Sequence, residues 1–253
     1  MPCSFEALLS PSEFAVLRQR DLSKYVCVVF DVLRATSSIV TALGNGASAV
    51  IPVAEISEAL EIRRARPAVL LGGERGGLKI GADQTGGIAF DLGNSPAEYT
   101  RDVVAGRTIV VTTTNGTRAL RACVGARSIV VACFLNLSAA AEFVVRQGPE
   151  HVLLVCAGTG DGVSLEDVIA AGAFCDQVCS AMTGCEVSDS AEVTRRAYRQ
   201  SKDDLPAAVR SSRNARRLLA NAALRDDVAL CLRRDCYSGV PLLGTDGVIR
   251  NAV

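Results

Sequence analysis

The sequence predicts an α/β fold with a largely parallel sheet and a helical C-terminal portion. Short apolar runs, each followed by a polar turn and then a helix-spaced segment, recur about six times. The runs Val26 to Phe30 and His151 to Cys156 are almost continuously apolar, as in strands covered on both faces. Hydrophobic residues make up 49% of the 253 residues and aromatics only 4%, so a sizeable core of Val, Ala, Leu and Ile is expected. No repeat of fixed period and no low-complexity tract divides the chain. Residues 1–253 are therefore expected to form a single domain, helix-rich from about 189.

In chain order, residues 1 to 24 read as a lead-in with a short helix at Ser12 to Arg18. After the strand at Val26 to Phe30, a helix over Ser37 to Leu43 stops at Gly44-Asn45-Gly46. A strand at Ala49 to Val53, an amphipathic helix over Ile56 to Arg66 and a strand at Ala68 to Leu71 follow. A long glycine-rich loop, Gly76 to Ser95, precedes a helix over Pro96 to Val104 with Ser95 as its cap. Thr108 to Val111 and Arg127 to Cys133 are strands, with a helix between them ending near Gly125 and another from Asn136 to Arg146. His151 to Cys156 is a strand, and Ser164, with Asp167 three positions on, opens a long helix to Met182 in capping-box style. Helices are expected at 189–199, 203–221 and 226–235, then a strand-like tail at Val240 to Leu243 and Val248-Ile249.

Composition excludes several classes of function. The 27 basic and 27 acidic side chains cancel, so neither bulk nucleic-acid binding nor attachment to a membrane surface is expected. Met1 to Glu6 lacks the charged and apolar regions of a signal peptide, and no apolar run is long enough to span a bilayer. Cys27, Cys133 and Cys156 sit in strand-like runs, so the ten cysteines suggest a reduced, cytoplasmic protein. With one histidine, His151, and no Cys-x-x-Cys pair, a zinc site is not expected.

The chemistry points to one end of the sheet. Asp31 closes the strand Val26 to Phe30, and Arg34, Thr36, Ser37 and Ser38 follow where a helix begins. In open α/β sheets ligands bind beyond the strands' carboxyl ends, and a helix start favours an anion. Glu74 and Arg75 repeat the acid and arginine at the carboxyl end of the strand Ala68 to Leu71. Thr112 to Thr117 holds four threonines, Asn115 and Gly116, which suits a phosphate or sulfonate cradle or an ordinary capped turn. Glu166 and Asp167 suit hard-cation ligation or helix capping in about equal measure. Gly158 to Gly162 reads as a turn, since Val163 stands where a dinucleotide fingerprint needs its third glycine. Arg195, Arg196, Arg199, Arg213, Arg216 and Arg217 read as a solvated face or a homo-oligomer interface. Common phosphatase motifs are absent: no Cys-x5-Arg, no Asp-x-Asp at Asp31, one histidine and no lysine phosphate loop.

Phe30 to Ser38, Gly73-Glu74-Arg75, Asp91 to Pro96, Thr112 to Leu120, Asn136, Cys156-Ala157-Gly158 and Leu165-Glu166-Asp167 occur in this order. The set resembles the 2-phosphosulfolactate phosphatase family, over roughly Val26 to Asp189 and more weakly to Pro241. The resemblance implies a three-layer α/β/α fold with a largely parallel or mixed sheet. It implies a Mg²⁺-dependent acid phosphatase converting 2-phospho-3-sulfolactate to 3-sulfolactate, a step that serves coenzyme M synthesis in methanogens. On that reading Asp31, Arg34 and Glu74 are catalytic, with Asp31 attacking phosphorus or holding a metal that activates water. Arg75, Thr36, Asn94, Ser95, Thr113, Thr114, Asn115, Gly116 and Thr117 bind a small anionic substrate. Asp31, Glu166 and Asp167 hold Mg²⁺. A phosphatase of another 2-hydroxy-acid phosphate and a non-catalytic anion-binding protein are the alternatives. One departure from the family pattern, the extra segment Gly81 to Gly87, lies in the long loop expected to border the site and to influence substrate choice.

Overall fold

The computed structural model describes residues 3–17 and 19–252. Arg18, the end of the short helix expected near the N-terminus, lies outside them. The strands are β1 (Ser4–Leu8), β2 (Tyr25–Phe30), β3 (Ala49–Pro52), β4 (Leu70–Arg75), β5 (Leu78–Lys79), β6 (Thr108–Thr112), β7 (Ser128–Ala132), β8 (His151–Cys156), β9 (Glu186–Val187), β10 (Pro241–Leu243) and β11 (Ile249–Asn251). The helices are α1 (Phe14–Leu17), α2 (Ala35–Gly44), α3 (Ile56–Ala65), α4 (Arg101–Val104), α5 (Gly116–Ala122), α6 (Leu137–Gln147), α7 (Leu165–Ala181), α8 (Asp189–Ser201), α9 (Leu205–Arg210), α10 (Arg213–Leu219) and α11 (Arg225–Cys231).

One mixed sheet runs in the order β5-β4-β6-β3-β11-β10-β7-β2-β8-β1-β9. It contains two parallel blocks, β4-β6-β3 and β7-β2-β8-β1-β9. The antiparallel hairpin β10–β11 joins them through the pairs Leu242–Val130 and Ile249–Val50. Parallel partners flank β2 on both sides, with Phe30 level with Ala132 and Cys156, so its backbone groups are satisfied and its side chains must be apolar on both faces. Alternation then divides them. Val26, Val28 and Phe30 enter the core beneath α6, α7 and α8, while Cys27 and Val29 enter the core beneath α2 and α5. Each such buried side chain contributes roughly 1.5–3 kcal/mol. These two cores on opposite faces of the sheet make the fold three-layered, α/β/α. A smaller core under α3 contains Leu60, Leu71, Phe90 and Val110.

Several elements differ from the sequence expectation. The lead-in contains β1, which pairs in parallel with β8; its central Glu6 obscures the strand pattern and is bound at the surface by Arg20 at 2.8 Å. The expected helix over Pro96 to Val104 is broken at Tyr99, which is buried and turns aside to donate its hydroxyl to Gly93 O at 2.8 Å. Ser95 does not cap it. The expected helix over 203–221 divides into α9 and α10 because Ser212 caps the second, accepting from Ala215 N at 3.2 Å. All ten cysteines are unpaired. No helix among the described residues is long and apolar enough to cross a membrane.

Candidate active site

The loops that follow β2 and β8 in one block meet those that follow β4 and β6 in the other around a cavity of about 450 Å³. Helix α10 and the segment after it close the remaining side.

Asp31, the first residue past β2, is fixed by its own turn. Its Oδ1 accepts from Ala35 N at 3.1 Å, and its backbone N–H donates to Thr36 Oγ1 at 3.1 Å. Oδ2 makes no hydrogen bond among the described residues, and Asp31 lines the cavity. Burial pushes its titration up to about 7, assisted by the nearby Glu74 and Glu166 carboxylates and opposed by the Ala35 N–H and by Arg34. Gly116, at the start of α5, permits this arrangement. A Cβ there would stand 2.5 Å from Ala35 Cβ and 2.8 Å from Asp31 Oδ2. Gly116→Ala is therefore expected to displace the Asp31 turn, lowering kcat at least tenfold and costing about 1–3 kcal/mol in urea unfolding. Unchanged kcat would show that the carboxylate tolerates the shift.

Glu74 also lines the cavity, and its oxygens organise the walls. Oε1 accepts from Thr114 N at 2.8 Å and Thr114 Oγ1 at 2.9 Å, and Oε2 accepts from Gly77 N at 2.6 Å. Arg75 does not line the cavity. Successive strand residues face opposite ways, so Arg75 donates to Glu74 O, to Ala54 O at 3.2 Å and to Thr112 Oγ1 at 2.9 Å. Within the Thr112 to Thr117 turn, Thr114 and Asn115 reach the cavity. Thr113 and Thr117 satisfy one another instead, at 3.2 Å and 2.8 Å. Thr36 is spent on the Asp31 backbone. Asn94 lines the cavity, whereas the Ser95 hydroxyl donates to Asp227 Oδ1 at 2.5 Å.

Arg34 lines the cavity without pairing with Asp31. Its Nη1 donates to Asp227 Oδ2 at 2.6 Å and its Nη2 to Gly77 O at 2.6 Å. The Arg34 and Asp227 side chains are 3% and 4% exposed, so this is a fully buried ion pair. Nothing local in the sequence marks Asp227, 193 positions away, as the partner of Arg34.

Glu166 and Asp167 lie buried in the first turn of α7 and do not line the cavity. The expected capping box is absent. Ser164 Oγ meets Thr159 Oγ1 at 2.6 Å, and Asp167 reaches sideways to accept from Val32 N at 2.8 Å and Gly158 N at 3.1 Å. Asp167 thus clamps the loops after β2 and β8 together. Burial, then Glu166 and Asp31, hold its titration well above the usual carboxylate range. Glu166 Oε1 accepts from Asn214 Nδ2 at 2.7 Å, and its buried Oε2 has no partner among the described residues.

These placements test the metal set. Among the described residues, no three His, Cys, Asp or Glu side chains cluster as a metal cage. Mg²⁺ needs only one or two carboxylates beside water and phosphate oxygens, and Asp31 with its open Oδ2 meets that requirement. The orphaned Oε2 of Glu166 is a further hard oxygen, one side chain behind the wall. Asp167 is a poorer ligand, since backbone N–H groups occupy both of its oxygens.

Two further expectations change. Gly81 to Gly87 is exposed or half-buried and does not line the cavity, which the loop reaches only through its ends at Gly76 to Leu78 and at Asn94. Arg217, expected on a solvated or oligomer-facing surface, lines the cavity with Asn214 and Asn221. Their spacing of three and four residues, interleaved with the buried Ala215 and Leu218, is the helical signal that would have revealed them.

A family model described as 2-phosphosulpholactate phosphatase matches residues 14–246. A protein of Caldanaerobacter subterraneus subsp. tengcongensis named probable 2-phosphosulfolactate phosphatase is 38% identical over 238 residues, 93% of this chain and 94% of its own. Proteins of the same name from Thermotoga petrophila and Thermotoga maritima are 42% and 41% identical over 216 residues, 85% of this chain and 88% of theirs. Such similarity across nearly the whole chain covers the loops that build the cavity as well as the strands. The chain belongs to the 2-phosphosulfolactate phosphatase family and is a phosphoric monoester hydrolase.

Proposed function

We propose that this protein hydrolyses 2-phospho-3-sulfolactate to 3-sulfolactate and phosphate, with Mg²⁺ as cofactor, in the cytoplasm. The observation that carries the reading is the Asp31 carboxylate. It is buried at the wall of the cavity of about 450 Å³, held by Ala35 N–H on one oxygen and open on the other. The names of the relatives supply the substrate. When bound, Mg²⁺ would neutralise the phosphoryl oxygens as a Lewis acid. Asp31, whose Oδ2 has no hydrogen-bond partner among the described residues, would hold the cation, and Oδ1 is already fixed by Ala35 N–H. Thr114 and Asn115 would offer neutral donors beside it, with Thr114 oriented by Glu74. Arg34 keeps N–H donors beyond the two used on Asp227 and Gly77 O, and these are available to an anion.

The test is phosphate release from 2-phosphosulfolactate with Mg²⁺ and with a chelator. Release that stops with chelator and returns with Mg²⁺ is the expected result. Release from 2-phospholactate or phosphoglycerate but not from the sulfonate would keep the hydrolase and overturn the substrate. Tight binding without release would favour the anion-binding alternative.

A further inference from the structure

The arginines around the cavity divide by whether their charge is already used. Arg34 is cancelled by Asp227, and Arg75 donates to Glu74 O, Ala54 O and Thr112 Oγ1. Arg118 pairs with Asp161 at 3.0 Å, and Arg213 bonds Thr159 O. Arg217 has no ion pair and no hydrogen bond among the described residues, although it lines the cavity. Its neighbour Asn214 is spent on Thr159, Ser164 and Glu166. Arg217 is therefore the uncommitted cation on this wall.

Its guanidinium lies against the turn at Gly76 and Gly77. Gly76 and Gly77 both have positive φ, 63° and 81°. A Cβ on Gly77 would stand 3.4 Å from Arg217 Cζ and Nη2, and one on Gly76 3.5 Å from Nη2. The guanidinium thus lies against the Gly-Gly turn at a distance where even a Cβ would make only ordinary van der Waals contact, and the positive φ is what calls for glycine there. The same Gly77 gives its N–H to Glu74 and its carbonyl to Arg34. The free guanidinium and these two side chains line the same cavity.

Charge balance makes this cation consequential. Asp31 and Glu74 make that end of the cavity acidic, and the Arg34 charge is neutralised. With Mg²⁺ engaged by Asp31 and the phosphoryl oxygens, an acidic group beyond the phosphate has Arg217 as its free counter-charge on this wall. We propose that Arg217 binds the non-transferred anionic group of the substrate, a carboxylate or sulfonate, by forked hydrogen bonds. It thereby selects phosphorylated acids over simple phosphate esters. This rests on the phosphatase reading of the cavity.

The experiment compares wild type, Arg217→Ala and Arg217→Lys on 2-phosphosulfolactate, 2-phospholactate and isopropyl phosphate, the last having no second anion. The expected loss of kcat/KM in Arg217→Ala on the phosphorylated acids exceeds that on isopropyl phosphate by about tenfold to a hundredfold, mainly through KM. Arg217→Lys, keeping the charge without the fork, should fall between. A larger loss on 2-phosphosulfolactate than on 2-phospholactate assigns the sulfonate; equal losses on these two assign the carboxylate. Equal losses on all three esters overturn the proposal. A wild type inactive on 2-phosphosulfolactate but active on 2-phospholactate would remove the proposed substrate and leave Arg217 to be judged on the latter. Should no ester turn over, calorimetric binding of 3-sulfolactate decides: weakening in Arg217→Ala supports the assignment, and unchanged affinity overturns it.

Discussion

Asp31→Asn is expected to abolish turnover, with kcat falling on the order of 10³-fold or more, while the protein remains folded. Asparagine is nearly isosteric and can still accept the Ala35 N–H, so the α2 turn survives. The charge and the open anionic oxygen do not. A second effect follows from burial. The folded-state titration of Asp31 is raised from 3.8 to about 7, so the native state holds a proton that the unfolded chain releases. The stability associated with that proton is present below about pH 4 and is lost as pH rises through about 7. In chelator-treated protein, Asp31→Asn should therefore melt higher than wild type at pH 8 and similarly at pH 4. Near-normal kcat would remove Asp31 from the chemistry. A melting temperature lowered equally at both pH values would show that the carboxylate is structural.

Asp227→Ala should destabilise the protein by about 3–5 kcal/mol, because it leaves the Arg34 charge buried without a counter-ion. The Ser95 hydroxyl loses its acceptor in the same step. Urea unfolding measures the loss, and a cost below about 1 kcal/mol, typical of exposed pairs, would contradict the burial argument. Replacing both partners, Arg34→Met with Asp227→Leu, separates stability from function. The apolar pair should recover much of the lost stability. Turnover should stay low if Arg34 donates to the phosphorylated substrate, and its recovery would show that the pair only holds α11 against the site.

Much of the architecture is legible in short stretches of sequence. The β2 run, the acid at its end and the hydroxyls opening α2 are local signals, and the strand spans matched to within a few residues wherever the apolar run was continuous. β1 is not legible in the sequence, because a five-residue strand with glutamate at its centre carries little pattern. The helix expected at Pro96 to Val104 was broken by one buried hydroxyl, Tyr99, whose partner lies outside the helix. The Ser164 and Asp167 spacing suggested a cap, yet Asp167 had two backbone N–H groups to satisfy on neighbouring loops.

Hydrophobic period and turn chemistry are local properties, so the strand-turn-helix units and the set of polar side chains at the strand ends are readable in short stretches of the chain. Which of those side chains face the cavity and which are spent depends on how distant elements pack. Glu74 and Arg75 are adjacent in sequence, yet the pleat sends one to the cavity and the other to Ala54 and Thr112. Arg34 is committed to Asp227, and Arg217, remote in sequence, is left uncommitted beside Gly77. Pairing of buried charge depends on which distant helix docks, and no local spacing encodes that.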